Sequence, residues 1–159
     1  MSTETKDLSV RRTLVIAASQ ARAFSVFTSG MTSWWPPSHH IGKAPLALIV
    51  VEPRAGGRWY ERGDDGSECE WGRVLVWQPN ERVAFSWHLD GDWQYQADPA
   101  SASEVEIQFV PKGPKETEVV LIHRHIERHA GAVKVFEGVG SPQGWNGLLQ
   151  LFRQSAEAA

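Results

Sequence analysis

At 159 residues, with 16 basic and 19 acidic side chains, the chain carries a formal charge of −3, which gives no electrostatic reason to bind nucleic acid or an anionic membrane. The length suits one compact domain, burying roughly 68–70% of the surface its unfolded chain exposes. Cys69 is the only cysteine, so no intramolecular disulfide can form and a reducing compartment is expected, whereas 8 tryptophans are a marked excess.

Residues 1–7 are polar and charged and read as a disordered leader ahead of a single domain at residues 8–159. Residues 10–16 are β-branched and apolar and make a first strand. Ser19 is the N-cap of a helix running through Phe27, and residues 31–35 form a second short helix stopped by Pro36 and Pro37. Strands follow at residues 46–52, 58–62, 70–77 and 82–89, separated by Gly56-Gly57, Asp65-Gly66 and Pro79-Asn80. Residues 90–103 are a loop rich in Asp, Ala and Ser, and strands at 104–110 and 118–126 flank the turn Lys112-Gly113-Pro114. A helix at about residues 142–156 closes the chain. The longest apolar run, residues 45–51, is far short of the roughly 20 residues that cross a bilayer, so no membrane insertion and a cytoplasmic address are expected.

Strands joined by turns this short pair antiparallel. Val83, Phe85, Trp87 and Leu89 share one face, as do Val105, Ile107 and Phe109, with Glu104, Glu106 and Glu118 on a solvated face. Trp145, Leu148, Leu149 and Phe152 fall on one stripe of the last helix, which suits it to cover the apolar side. The expected class is α+β: a curved antiparallel sheet around a C-terminal helix, with two short helices after strand 1.

This order of elements resembles the helix-grip fold of the START-like (SRPBCC) superfamily, and is most similar to proteins of the AHSA type, homologues of the activator of heat-shock-protein ATPase. The matching stretches are Ile16-Ala17-Ala18-Ser19 with Val26-Phe27, Thr32-Ser33-Trp34-Trp35, and Pro53-Arg54-Ala55-Gly56-Gly57-Arg58-Trp59. They continue with Trp71-Gly72-Arg73-Val74, Pro79, Arg82-Val83-Ala84-Phe85-Ser86-Trp87, Val119-Val120-Leu121-Ile122-His123 and Gly144-Trp145. The resemblance implies an apolar cavity between sheet and last helix that takes a hydrophobic small molecule. The founding eukaryotic members activate a chaperone ATPase with the help of a separate N-terminal domain, so that role is not expected to carry over directly.

The candidate ligand walls are aromatic: Trp35, Trp59, Trp71, Trp87 and Trp145, completed by Phe85, Phe109, Leu149 and Phe152. His123 follows Val119 and Leu121 on one strand face and is the candidate polar anchor. It is also a candidate acid or base, as is Glu61, which shares a face with Trp59. His123 and His125 stand at i and i+2 on the strand, a spacing that zinc sites use. A third ligand from Glu52, Glu61, Cys69 or His129 is not fixed, and neither metal nor cofactor is expected. Acidic neighbours would raise the Cys69 thiol, which speaks against a nucleophile. The leading reading is a non-enzymatic binder of a small hydrophobic ligand. The alternatives are a cyclase- or hydrolase-like enzyme in the same cavity, and a chaperone-ATPase cofactor acting through the sheet face or the Trp93 loop. A chaperone partner and a homodimer stay open.

Overall fold

A computed structural model describes residues 8–158; the leader expected at residues 1–7 lies outside the described residues. The seven expected strands are β1 Val10–Ile16, β2 Leu46–Val51, β3 Arg58–Gly63, β4 Glu68–Gln78, β5 Arg82–Trp87, β6 Ser103–Gly113 and β7 Glu116–Arg124. They form one sheet in the order β1-β7-β6-β5-β4-β3-β2, antiparallel throughout. Since β1 and β2 lie at opposite edges, the chain between them must cross the sheet. It does so through α1 (Gln20–Phe27) and a 3₁₀ turn at Met31–Ser33. The Ser19 hydroxyl accepts the Arg22 N–H as N-cap, and α1 buries Ala23, Phe24 and Phe27.

Register follows the side-chain pattern. Val10, His123, Val105, Phe85 and Val74 pair in turn across β1, β7, β6, β5 and β4 and form one buried row of the inner face. The sheet curls where the register slips, at Leu46/Leu48, Trp59/Tyr60 and Val74/Val76. Gly72 sits at this bend: a Cβ there would stand 1.7 Å from the Ser86 carbonyl oxygen, so β4 can close on β5 only with glycine.

The concave side is filled by α3 (Gly147–Glu157), which buries Leu148, Leu149, Phe152 and Ala156. Arg22 of α1 ties down its end, donating to the carbonyls of Ser155, Ala156 and Ala158. This is the α+β helix-grip arrangement.

Several local expectations are corrected. The last helix does not run unbroken over residues 142–156. Gly144 is non-helical (ψ −136°), and a π-type turn at Pro142–Asn146 precedes α3. A Cβ at Gly144 would lie 2.3 Å from the Val139 carbonyl oxygen, the chain having folded back onto an unforeseen helix, α2 (Ala132–Val139). The second short helix is only the Met31–Ser33 turn. β5 ends at Trp87, and Leu89 keeps a lone bridge to Tyr95. β7 ends at Arg124 because His125 turns left-handed (φ 63°), so His123 and His125 do not share a strand face. Glu106 is not solvated: it is buried between Arg82 and Arg124. Burial alone would push its carboxyl up, but hydrogen bonds from Arg124, Gln108 and Arg82 hold it below the ordinary range.

Candidate functional site

Beyond the packed part of the core, the concave side opens into a cavity of about 730 Å³. Strands β4 and β5 supply Trp71 and Trp87, the turn before α3 supplies Trp145, and the segment after the Met31–Ser33 turn supplies Trp35. Their rings meet edge-on or tilted, with centroids 5.1 Å apart for Trp35–Trp71, 5.9 Å for Trp87–Trp145 and 6.4 Å for Trp35–Trp145. Polar groups stand among these walls: Ser38, His39, His40, Gln94, Ser141 and Gln143.

The walls are held from behind. Trp145 Nε1–H donates to His123 Nδ1 (3.1 Å), so the His123 proton is on Nε2, which donates to the Ser103 hydroxyl (2.7 Å). His129 Nε2 accepts from the Ser103 hydroxyl (2.7 Å) and from the Ser103 N–H (3.3 Å). Both imidazoles are kept neutral. Burial, then the neighbouring His129, brings His123 down to about 3. Burial, then His88, brings His129 down to about 4, against the opposing pull of Asp90.

Glu61 is buried. Its carboxylate accepts the N–H groups of Ile41 (2.6 Å) and Gly42 (3.1 Å) and the indole N–H of Trp71 (2.9 Å). It therefore fixes both a wall residue and the segment bearing His39 and His40. His39 Nε2–H donates to the Gln143 carbonyl (3.0 Å) and its Nδ1 accepts from the Ser38 hydroxyl (3.0 Å), joining that segment to the turn before α3. Cys69 is pushed up by burial first, then by the Glu61 and Asp65 charges. Among the described residues, no group of three or more His, Cys, Asp or Glu is placed to hold a metal ion.

Of the residues singled out from sequence, Trp35, Trp71, Trp87 and Trp145 line the cavity. Trp59, Phe85, Phe109, Leu149, Phe152 and His123 lie outside its lining, in the buried core. Trp59 and Phe85 stand directly behind the walls, Trp59 having centroids 5.3 Å from Trp71 and 5.8 Å from Trp87. Glu61 also lies outside the lining. Sequence reasoning missed Trp93, His39, His40 and the residues from α2 to the following turn. The adjacent His39-His40 pair was visible as a signal, but only the fold brings it to the cavity.

The family model described as "Activator of Hsp90 ATPase homolog 1-like protein" matches residues 17–157. The chain belongs to this family. Through it the chain falls in the START-like superfamily that its fold displays. Among solved structures it is similar to "An anthrahydroquino-Gama-pyrone synthase Txn09 complexed with SUM", at 42% identity over 97% of this chain and 99% of that one, with a TM-score of 0.66. It is also similar to the self-sacrificing resistance protein CalC from Micromonospora echinospora, at 28% identity over 93% of each chain and a TM-score of 0.66. Protein MLL2253 from Mesorhizobium loti, 17% identical over 92% of this chain and 94% of that one, shares the fold with a TM-score of 0.65. Comparison with curated proteins found no match. No helix among the described residues is long and apolar enough to cross a membrane.

Proposed function

We propose that this protein binds a small, flat, hydrophobic molecule in the tryptophan-walled cavity. The observation that carries the reading is the convergence of Trp35, Trp71, Trp87 and Trp145 on a space of about 730 Å³, within the roughly 300–1,000 Å³ range of small-molecule sites. In this reading these residues touch the ligand, while Trp59, Phe85, Phe109, Leu149 and Phe152 stiffen the wall. His123 acts at one remove, by holding the Trp145 ring.

Titration with 1-anilinonaphthalene-8-sulfonate, read by tryptophan fluorescence, tests the proposal. The wild type should quench saturably, and Trp87→Ala and Trp145→Ala should lose most of that response while thermal melts show them folded. Trp35→Leu, a third lining residue, covers the case in which either fails to fold. A folded wild type that does not quench would refute the reading.

A second reading, catalysis on the bound molecule, is favoured by the 42% identity with a synthase over 97% of the chain. Neither His123 nor Glu61 reaches the lining, so the acid–base work would fall to groups that do. The family description also brings in a chaperone-ATPase cofactor. That role predicts an effect on the ATPase rate that persists with the cavity filled.

A further inference from the structure

Among the described residues, His39 and His40 are the only titratable side chains that line the cavity. They are not equivalent. Both ring nitrogens of His39 are engaged, by the Ser38 hydroxyl and the Gln143 carbonyl. His40 is bonded on one side only: its Nδ1 lies 2.8 Å from the Gly42 carbonyl oxygen. A carbonyl can only accept, so Nδ1 carries the proton and Nε2 keeps its lone pair. Nε2 has no hydrogen-bond partner among the described residues and is not among the fully buried unpartnered atoms, and His40 lines the cavity. Behind the ring, Glu61 Oε2 stands 3.9 Å from Nδ1, on a carboxylate held by the Ile41 and Gly42 N–H groups and the Trp71 indole. An unpartnered lone pair, an N–H fixed by a carbonyl, and a buried carboxylate behind it are the parts of a general base.

We propose that His40 is a proton acceptor toward the bound molecule, that Glu61 is its positioning residue, and that the molecule is a polycyclic phenol or hydroxyquinone. The proposal rests on the ligand-binding reading above. In the step, the ligand's O–H bond breaks and an Nε2–H bond forms. The electron pair stays on the ligand oxygen as a phenolate, and the imidazolium's other N–H remains on the Gly42 carbonyl beside the Glu61 carboxylate. Tryptophan walls select flat aromatic faces. The base then selects among polar groups: an aliphatic alcohol is too weak an acid to pass its proton to imidazole near neutral pH, and a carboxylic acid is already ionised there. An aromatic hydroxyl fits between them. The other titratable groups around His40 are Glu61 of β3, its neighbours His39 and Lys43, and Cys69 of β4. Burial and the Glu61 charge push the Cys69 thiol up and keep it neutral.

Alizarin, a dihydroxyanthraquinone whose visible spectrum changes on ionisation, is a suitable probe. The dye is titrated with pH in buffer and with an excess of the full chain, in the wild type and in His40→Gln, His39→Gln and Glu61→Gln. On wild type the bound dye should ionise at least one pH unit below its value in buffer. His40→Gln should still quench its tryptophans with the dye, yet lose that shift. His39→Gln should keep the shift, and Glu61→Gln should lose part of it. If wild type and His40→Gln bind the dye with the same midpoint, or if His39→Gln alone abolishes the shift, the proton acceptor is not His40 and the inference is overturned while the binding reading stands. Absence of quenching by alizarin and by the anilinonaphthalene probe in folded wild type would overturn both.

Discussion

The two ends of the concave face are built from the same kind of residue and do opposite things with it. At one end Phe24, Phe27, Phe109 and Phe152 close on one another with ring centroids 5.2–6.0 Å apart, and Trp34 seals the group 5.5 Å from Phe152. At the other, Trp35, Trp71, Trp87 and Trp145 meet each other at similar distances but stand around a space instead of filling it. The difference lies in what holds the rings. The phenylalanines hold each other by shape, whereas the indoles of Trp35, Trp71 and Trp145 are pinned by hydrogen bonds to His39, Glu61 and His123. Polar pins hold three of the four rings at the edge of the void, while Trp87, whose N–H has no partner among the described residues, is held by ring contacts with Trp59, His123 and Trp145. Aromatic excess is therefore no guide to packing until the partners of each N–H are known.

The largest effect expected from this contrast is on stability. Phe152→Ala removes a fully buried ring from the packed end and leaves a sealed void, which should destabilise the fold by about 3–5 kcal/mol. Leu148→Ala, on the same helix but lining the cavity, enlarges a space that already exists and should cost near the lower end of the range for such truncations, about 2 kcal/mol. Urea unfolding of the two variants measures the gap. Equal losses would mean that the cavity is as tightly supported as the packed end, and the contrast would fail.

The next expectation concerns pH and belongs to the hollow end, whose wall is backed by the neutral histidines. His123 stands at about 3 in the folded protein against about 6.5 in an unfolded chain. Below the unfolded value the unfolded state takes up a proton that the native state refuses. Stability should therefore fall as the pH drops from about 6.5 toward 3, by about 1.4 kcal/mol per pH unit. His129, at about 4, adds to the fall with the same sign. Denaturant midpoints taken between pH 6.5 and 5.5 stay above most of the range in which Asp90, Glu106 and Glu127, all held below their ordinary values, contribute. Across that interval His123→Phe should show a distinctly shallower slope than wild type; an unchanged slope would place the sensitive groups elsewhere.

What could be read beforehand divides along the same line. Strand faces were legible because alternation is a local signal: Val83, Phe85 and Trp87 and Val105, Ile107 and Phe109 are buried as their spacing implies. Helix α3 was legible from Leu148, Leu149 and Phe152. Helix α2 was not, because its eight residues hold three β-branched valines between Gly131 and Gly140 and offer no polar cap. The void itself had no local signature. Whether an inward ring fills space or borders it depends on pins reached from distant strands, as with Glu61 and Trp71 or His123 and Trp145. His40 was passed over for the same reason: its orientation comes from the Gly42 carbonyl and the Glu61 carboxylate, which sequence cannot bring together.

The smallest expected effect is the most discriminating, because stability and binding should part company. Trp93 lines the cavity with 46% of its surface exposed, and it sits at φ 59°, a left-handed conformation that costs an L-residue about 1–2 kcal/mol. The loop is forced into this shape by Asp90, whose buried carboxylate accepts the N–H groups of Asp92 and Gln94 and the amide of Gln96. The ring lies over Gly138 of α2, where an added Cβ would come within 3.3 Å of it. Strain of this kind persists only where surrounding structure imposes it, and it gathers at functional sites. Trp93→Gly relieves the strain but gives up the buried half of the ring, so the two effects largely offset and the variant should melt within roughly 2–4 °C of wild type, a change of about 1 kcal/mol. Its affinity for the anilinonaphthalene probe should nonetheless drop several-fold, since one wall has gone. A variant that loses stability and keeps its affinity would show Trp93 to be part of the packed structure, and the division between the two ends would have to be redrawn around it.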